Sequence, residues 1–251
     1  MQQNTTDYIA RLAFNTTKTY WKEFMGLPAA VSIVFIVATI LINRIGINGP
    51  VVALFVVMNI AFLVFTISFG TATVKWCEEI FNGKKEFSIE AGLRYGLSRF
   101  WGVVGTGLLT ALKVFLWTLL LVLPGCYKGL LYSQSIKVSQ LEGISLGDAN
   151  RISQMLVSKS GILRTLGNMM AIGITTTLSL YLLLILALGI AALTSLINTT
   201  LGGIVMGILF AALMVAMMTF MKVFHSYQYL LYREENKADL ANLTKVLKQI
   251  A

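Results

Sequence analysis

Residues 51–74 read VVALFVVMNIAFLVFTISFGTATV, with no Asp, Glu, Lys or Arg before Lys75-Trp76 closes the run. Their apolar side chains follow neither the 3.6-residue period of a half-buried helix nor the alternation of a strand. As a helix rising about 1.5 Å per residue the stretch is about 36 Å long, enough for the roughly 30 Å of hydrocarbon in a bilayer. It reads as a transmembrane helix, and the rest of the chain is organised around it.

Four further runs have the same character. Residues 27–43 are apolar up to Arg44, and Ile45-Gly46-Ile47-Asn48-Gly49-Pro50 turns the chain into the run already quoted. Residues 101–123 end at Pro124-Gly125, and residues 166–195 and 201–224 are separated by a short polar turn at Asn198 to Thr200. Residues 126–141 are the most polar candidate, with Tyr132, Ser133, Gln134, Ser135 and Lys137. That segment is either a span packed inside a bundle or a re-entrant piece.

Composition agrees. The 251 residues are 57% hydrophobic and 12% charged, with a mean hydropathy of +0.77. A soluble domain carries about a quarter charged residues, so charge this sparse cannot cover a water-exposed surface. Only three prolines interrupt the chain. The expected fold is all-α, a polytopic transmembrane helix bundle of about six spans forming a single membrane domain over residues 1–251.

Cationic residues set the expected orientation. Lys and Arg of short loops gather on the cytoplasmic side. With six spans, the inner segments carry Arg11, Lys18 and Lys22; Lys75, Lys84, Lys85, Arg94 and Arg99; Lys137, Arg151, Lys159 and Arg164; and Lys222, Arg233, Lys237, Lys245 and Lys248. These are 17 of the 20 basic residues, leaving Arg44 and Lys128 outside and Lys113 within the third span. Were 126–141 not to cross, the basic C-terminus would face out. Both termini are therefore expected in the cytoplasm of a cell membrane. The net charge of +9 is read as orientation and contact with anionic headgroups; no nucleic-acid motif accompanies it.

An amphipathic stretch precedes each odd-numbered span, at 7–24, 88–100 and 145–160, and reads as an interfacial helix on the cytoplasmic side. In the second, Ile89, Leu93, Leu97 and Phe100 share one helical face. In the third, Ser145 to Asp148 resembles a capping box with Asp in place of Glu, ahead of an apolar stripe of Ala149, Ile152, Met155 and Leu156. Residues 1–25 are polar and amphipathic, so no cleavable signal is read there. Cys77 and Cys126 fall on opposite sides of the expected membrane, which argues against a disulfide between them. One His and two separated Cys make no metal set, and no cofactor is expected.

The run from Phe115 to Gly125, "apolar, then Pro-Gly", is followed by Tyr127, Tyr132 and Glu142, then Ser145, Asp148-Ala149, Ser153 and Lys159-Ser160-Gly161. With Gly83 to Ser88 upstream and Tyr229-Leu230-Leu231-Tyr232-Arg233 downstream, this order resembles the membrane domain of bacterial glycerophosphoryl diester phosphodiesterases and its uncharacterised six-span relatives. The resemblance implies a six-span fold. It implies no phosphodiesterase activity, because no residues are left over to build that family's soluble catalytic barrel.

Five residues are singled out as candidate contacts for a ligand or lipid. Lys113 lies half-way along the third span, where a charge costs about 2.5 to 3.5 kcal/mol or more. Lys128, with Tyr127 and Tyr132, makes an outer group that either anchors the interface or receives an anion. His225 stands near Tyr227, Tyr229 and Tyr232 at the inner end of the last span, as a titrating group or as one member of an aromatic belt. No catalytic pair lies within the spans. The sequence therefore points to a non-enzymatic membrane protein, an accessory, scaffold or immunity-type factor that binds membrane lipid, a protein partner or its own copies. The alternative is a transport component: a small permease, or the membrane subunit of an ATP-driven transporter.

Overall fold

The computed structural model describes residues 5–45, 49–195 and 199–250. Residues 46–48 and Asn198, where the hydropathy pattern places two turns, and the side chain of Arg44 lie outside them. Every regular element among the described residues is helical. In order these are α1 (Thr5–Thr19), α2 (Leu27–Ile45), α3 (Gly49–Phe81), α4 (Ile89–Ser98), α5 (Phe100–Leu120), α6 (Val122–Leu131), α7 (Ser135–Glu142), α8 (Leu146–Ser160), α9 (Ile162–Ser195), α10 (Thr199–Glu235) and α11 (Lys237–Ile250). A π-helical turn, Lys22–Gly26, leads into α2. Pro28 lies two residues on; it cannot donate to the Phe24 carbonyl and its ring crowds that group, which a widened turn relieves.

Among the described residues, four helical stretches are long and apolar enough to cross a membrane: Lys22–Thr39, Gly49–Phe81, Phe100–Leu120 and Ile162–Ile190. They overlap the first, second, third and fifth of the expected spans. The sixth lies within α10. The fourth is not one continuous helix, because α6 and α7 are separated by a turn at Tyr132 to Gln134.

Helices α3, α9 and α10 each run to about 50 Å or more at about 1.5 Å per residue, well beyond what an apolar core requires. Their overhanging ends hold most of the protein's packed interior. Trp76 on α3 is fully buried and stacks on Phe24 (6.0 Å) and Phe87 (5.1 Å), with Phe69 edge-on at 5.5 Å. Tyr227, Tyr229 and Tyr232 on α10 are also fully buried. The rest of α3 is the reverse: Leu54, Phe55, Val56 and Val57 are consecutive and all exposed, as residues facing lipid on every side would be.

The three amphipathic stretches are helices close to their expected bounds, and the structure shows what each face touches. On α1, Ile9 and Ala13 are buried, and Thr16 Oγ1 lies 2.8 Å from Tyr227 Oη. On α8, Ala149, Ile152 and Leu156 are buried in protein contacts. The capping box expected there does not form, since Ser145 makes no side-chain cap bond. Leu146 N–H instead donates to Thr106 Oγ1 (2.8 Å), and Asp148 pairs with Arg151. On α4 only part of the apolar stripe packs inward, Leu93 against the core. Ile89 and Leu97 are exposed, while Gly92 and Gly96 lie against α3. A Cβ on Gly96 would stand 2.1 Å from the Ser68 carbonyl oxygen. Only glycine lets the two backbones approach this closely.

The α5–α6 pair turns at the extended residue Leu121. Thr118 opposes Gly125, Val114 opposes Gly129 and Gly102 opposes Ser139. The register is nearly constant, so residues 122–142 return along α5 over almost its whole length. Helix α8 closes the break between α6 and α7: Gln134 N–H donates to Ser153 Oγ (3.1 Å), which donates to the Leu131 carbonyl (2.7 Å). Sequence reading also missed α11, whose Leu240 and Leu247 are buried with Leu243 packed between them. Its i, i+3, i+7 spacing was the available signal.

Candidate functional site

Lys113, Lys128 and Tyr132 come together. Lys128 on α6 lies one helical turn before Tyr132, which caps that helix, and the antiparallel register brings Lys113 of α5 beside the same ring. Lys113 Nζ stands 5.9 Å from the Tyr132 ring centroid, and Lys128 Nζ stands 5.9 Å from it and 5.4 Å from that of Trp117. Each ammonium is thus within cation–π range, and among the described residues no carboxylate bridges either one. Tyr127 does not join them; it is exposed one position before Lys128. The expected outer group therefore gathers in part, with Lys113 as an addition.

His225 lies elsewhere. Its Nδ1 is 3.3 Å from Gln228 Oε1 and its ring meets Phe224 edge-on. Burial, with the charge of Lys137 adding to it, lowers its pKa below 6.5, which keeps the imidazole neutral. The neighbouring tyrosines are internal ties. Tyr227 meets Thr16, Tyr232 Oη lies 3.0 Å from Thr165 Oγ1, and Tyr229 donates to Glu142 Oε1 (2.8 Å). Burial and the Glu142 charge together push the Tyr229 hydroxyl well above its usual range.

Beside Tyr229, Arg233 bonds Glu78 (2.5 Å) and Glu142 (3.3 Å) and so ties α10 to α3 and α7. Burial works to lower the Arg233 pKa; the bond and charge of Glu78, with Glu142, outweigh it and raise it. Glu78 also receives Lys75 (2.6 Å). This is a structural clasp in which each charge has a partner.

The feature least visible in the sequence is a pair of cavities on either side of α3. The larger, about 810 Å3, lies between α3 and α5 and includes Ile60, Leu63, Ile67, Gly107 and Leu108 in its wall. The smaller, about 400 Å3, lies among α2, α3 and α10 and includes Phe35, Phe62, Phe69 and Met218. Thr66 and Lys222 belong to both walls. Lys222 is the only charged residue lining either cavity among the described residues. It reaches past Gly70, where a Cβ would lie 3.6 Å from its Nζ. Lys137 stands near enough for the two charges to repel, and its Nζ is 3.4 Å from Ser226 Oγ. The signal in the sequence was Lys222 inside the run Met217 to Phe224, which charge counting absorbs as one more inner cation. The arrangement can hold elongated apolar groups and one negative charge. It offers no activated nucleophile.

Comparison with family models, with curated proteins and with solved structures finds no match for the chain.

Proposed function

We propose that this is a multi-pass protein of the cell membrane, crossing six times with both termini in the cytoplasm, which acts by binding membrane lipid rather than by catalysis. An accessory or scaffold role follows from that activity. The observation carrying the proposal is the pair of cavities, predominantly apolar with a few hydroxyls and the Gln140 amide in their walls, whose one charged group among the described residues is the shared Lys222. Apolar recesses beside exposed apolar helix faces suit acyl chains, which need no polar partners. The six crossings rest on the cationic bias of the segments and on the return of residues 122–142 along α5 in nearly constant register. The likeness to the phosphodiesterase membrane domains points the same way.

The test is the composition of the protein purified in a mild detergent, measured intact by mass spectrometry. Retained phospholipid at a fixed stoichiometry supports the proposal. A stoichiometric ATPase subunit, with no lipid held, overturns it.

One observation favours transport as a second reading. The break at Tyr132 to Gln134 falls half-way along the fourth expected span, with the Lys113 ammonium beside it. Interrupted helices near the bilayer midplane are where transporters place their substrates. Exchange of Lys113 for Leu separates the readings. Under lipid binding it raises thermal stability and leaves retained lipid unchanged; under transport it abolishes function.

A further inference from the structure

Two cations near the cavities lack what the other buried cations have. Lys75 and Arg233 are neutralised by Glu78 and Glu142. Among the described residues, no carboxylate bridges Lys222 or Lys137, although their charges repel one another. An ammonium held in apolar surroundings without a counter-charge is costly, and an anion at Lys222 relieves both the burial and the repulsion.

The cavities give that anion its shape. From Gly70, beside the ammonium, the larger cavity follows α3 back to Ile60, about 15 Å at about 1.5 Å per residue. This is half of the roughly 30 Å hydrocarbon thickness, the depth of one leaflet. The smaller cavity follows the opposite side of α3 from Thr73 back to Phe62. Two apolar recesses therefore start from one cation and run in the same direction. Ile60, Leu63, Trp101 and Leu108 are exposed at the rim of the larger one, so a chain can enter sideways from the bilayer. An extended peptide is the wrong occupant, because its backbone N–H and C=O groups would lie unpaired against these walls.

We propose that the two cavities flanking α3 hold the acyl chains of one anionic glycerophospholipid of the cytoplasmic leaflet, with its phosphate against Lys222. This rests on the six-crossing, lipid-binding reading above, which puts Lys222 at the inner end of the last span, where anionic headgroups are concentrated. Lys137 stands behind Lys222 and adds to the positive potential. Thr66, common to both walls, marks where the two chains part.

The experiment uses the full-length chain in detergent, titrated with phosphatidylglycerol, with phosphatidylcholine of the same chains, with single-chain lysophosphatidylglycerol and with inorganic phosphate. Bound species are counted by native mass spectrometry. The expected result is retention of phosphatidylglycerol over phosphatidylcholine by about tenfold, because the choline cation offsets the phosphate charge and is repelled by Lys222 and Lys137, with no displacement by inorganic phosphate. Lys222→Met removes the preference and Lys222→Arg keeps it. Leu63→Trp, which obstructs the larger cavity at its rim, shifts the preference toward the single-chain lipid. Equal retention of the two diacyl lipids by the unaltered protein overturns this proposal and leaves general lipid binding standing. Displacement by phosphate, or a preference that survives Lys222→Met, overturns it as well. Retention of no lipid at all overturns both. The ratio for the unaltered protein is readable whether or not the variants fold.

Discussion

Arg233 shows how much of this protein's order depends on single charged side chains at the ends of its long helices. Its guanidinium lies between Glu78 and Glu142, and all three side chains are largely shielded from water. Arg233→Met leaves two carboxylates facing one another with only Lys75 to answer them, and removing one partner from such a group costs about 3 kcal/mol. Thermal unfolding in detergent should show a large fall in Tm, recovered in part by Arg233→Lys. The same measurement against pH tests His225. Its folded pKa lies below the unfolded value of 6.5, so the folded state binds fewer protons over that interval. The stability it contributes is complete above 6.5 and is lost as pH falls toward the folded value. Between about pH 7 and pH 5 the unaltered protein should lose more stability than His225→Gln; identical slopes would place the titration elsewhere.

At the scale of elements, the contact between α3 and α4 depends on what is missing from a helix face. Gly92 and Gly96 let α4 lie directly on α3, with Ser68 and Trp76 occupying the space that side chains would need. Gly96→Val should force the helices apart and cost about 1 to 3 kcal/mol, the usual range for overpacking. It should also expose Trp76, so a red shift of its fluorescence accompanies the fall in Tm. Leu97→Ala on the exposed face of α4 changes neither. The periodicity of α4 made its helix legible but did not show that its glycine face is the one laid directly on α3. An apolar stripe and a glycine stripe are both compatible with burial, and only a neighbouring backbone decides between them. α8 repeats the lesson at its N-terminus, where the hydroxyl that receives a free N–H, that of Leu146, belongs to Thr106, 40 residues away in sequence, and Ser145 makes no side-chain cap bond.

For the whole molecule, the decisive prediction concerns sidedness. In a background with both cysteines replaced by serine, Asn198→Cys should react with a membrane-impermeant maleimide applied from outside intact cells. Lys245→Cys should react only after the membrane is opened. Labelling of Asn198→Cys from the cytoplasm alone would invert the orientation and remove Lys222 from the cytoplasmic leaflet. Long runs without charge made the apolar helices legible from sequence, because transfer into hydrocarbon depends on composition summed along a segment and hardly on its neighbours. The positions of the three amphipathic helices were readable from a different local signal, an apolar stripe at helical spacing among charged residues. The cavity pair, the Arg233 clasp and the meeting of Lys113 with Lys128 over Tyr132 were decided only by tertiary structure. Each joins residues from separate helices, and where a side chain on one helix meets another depends on rotation and closest approach, which local periodicity does not encode.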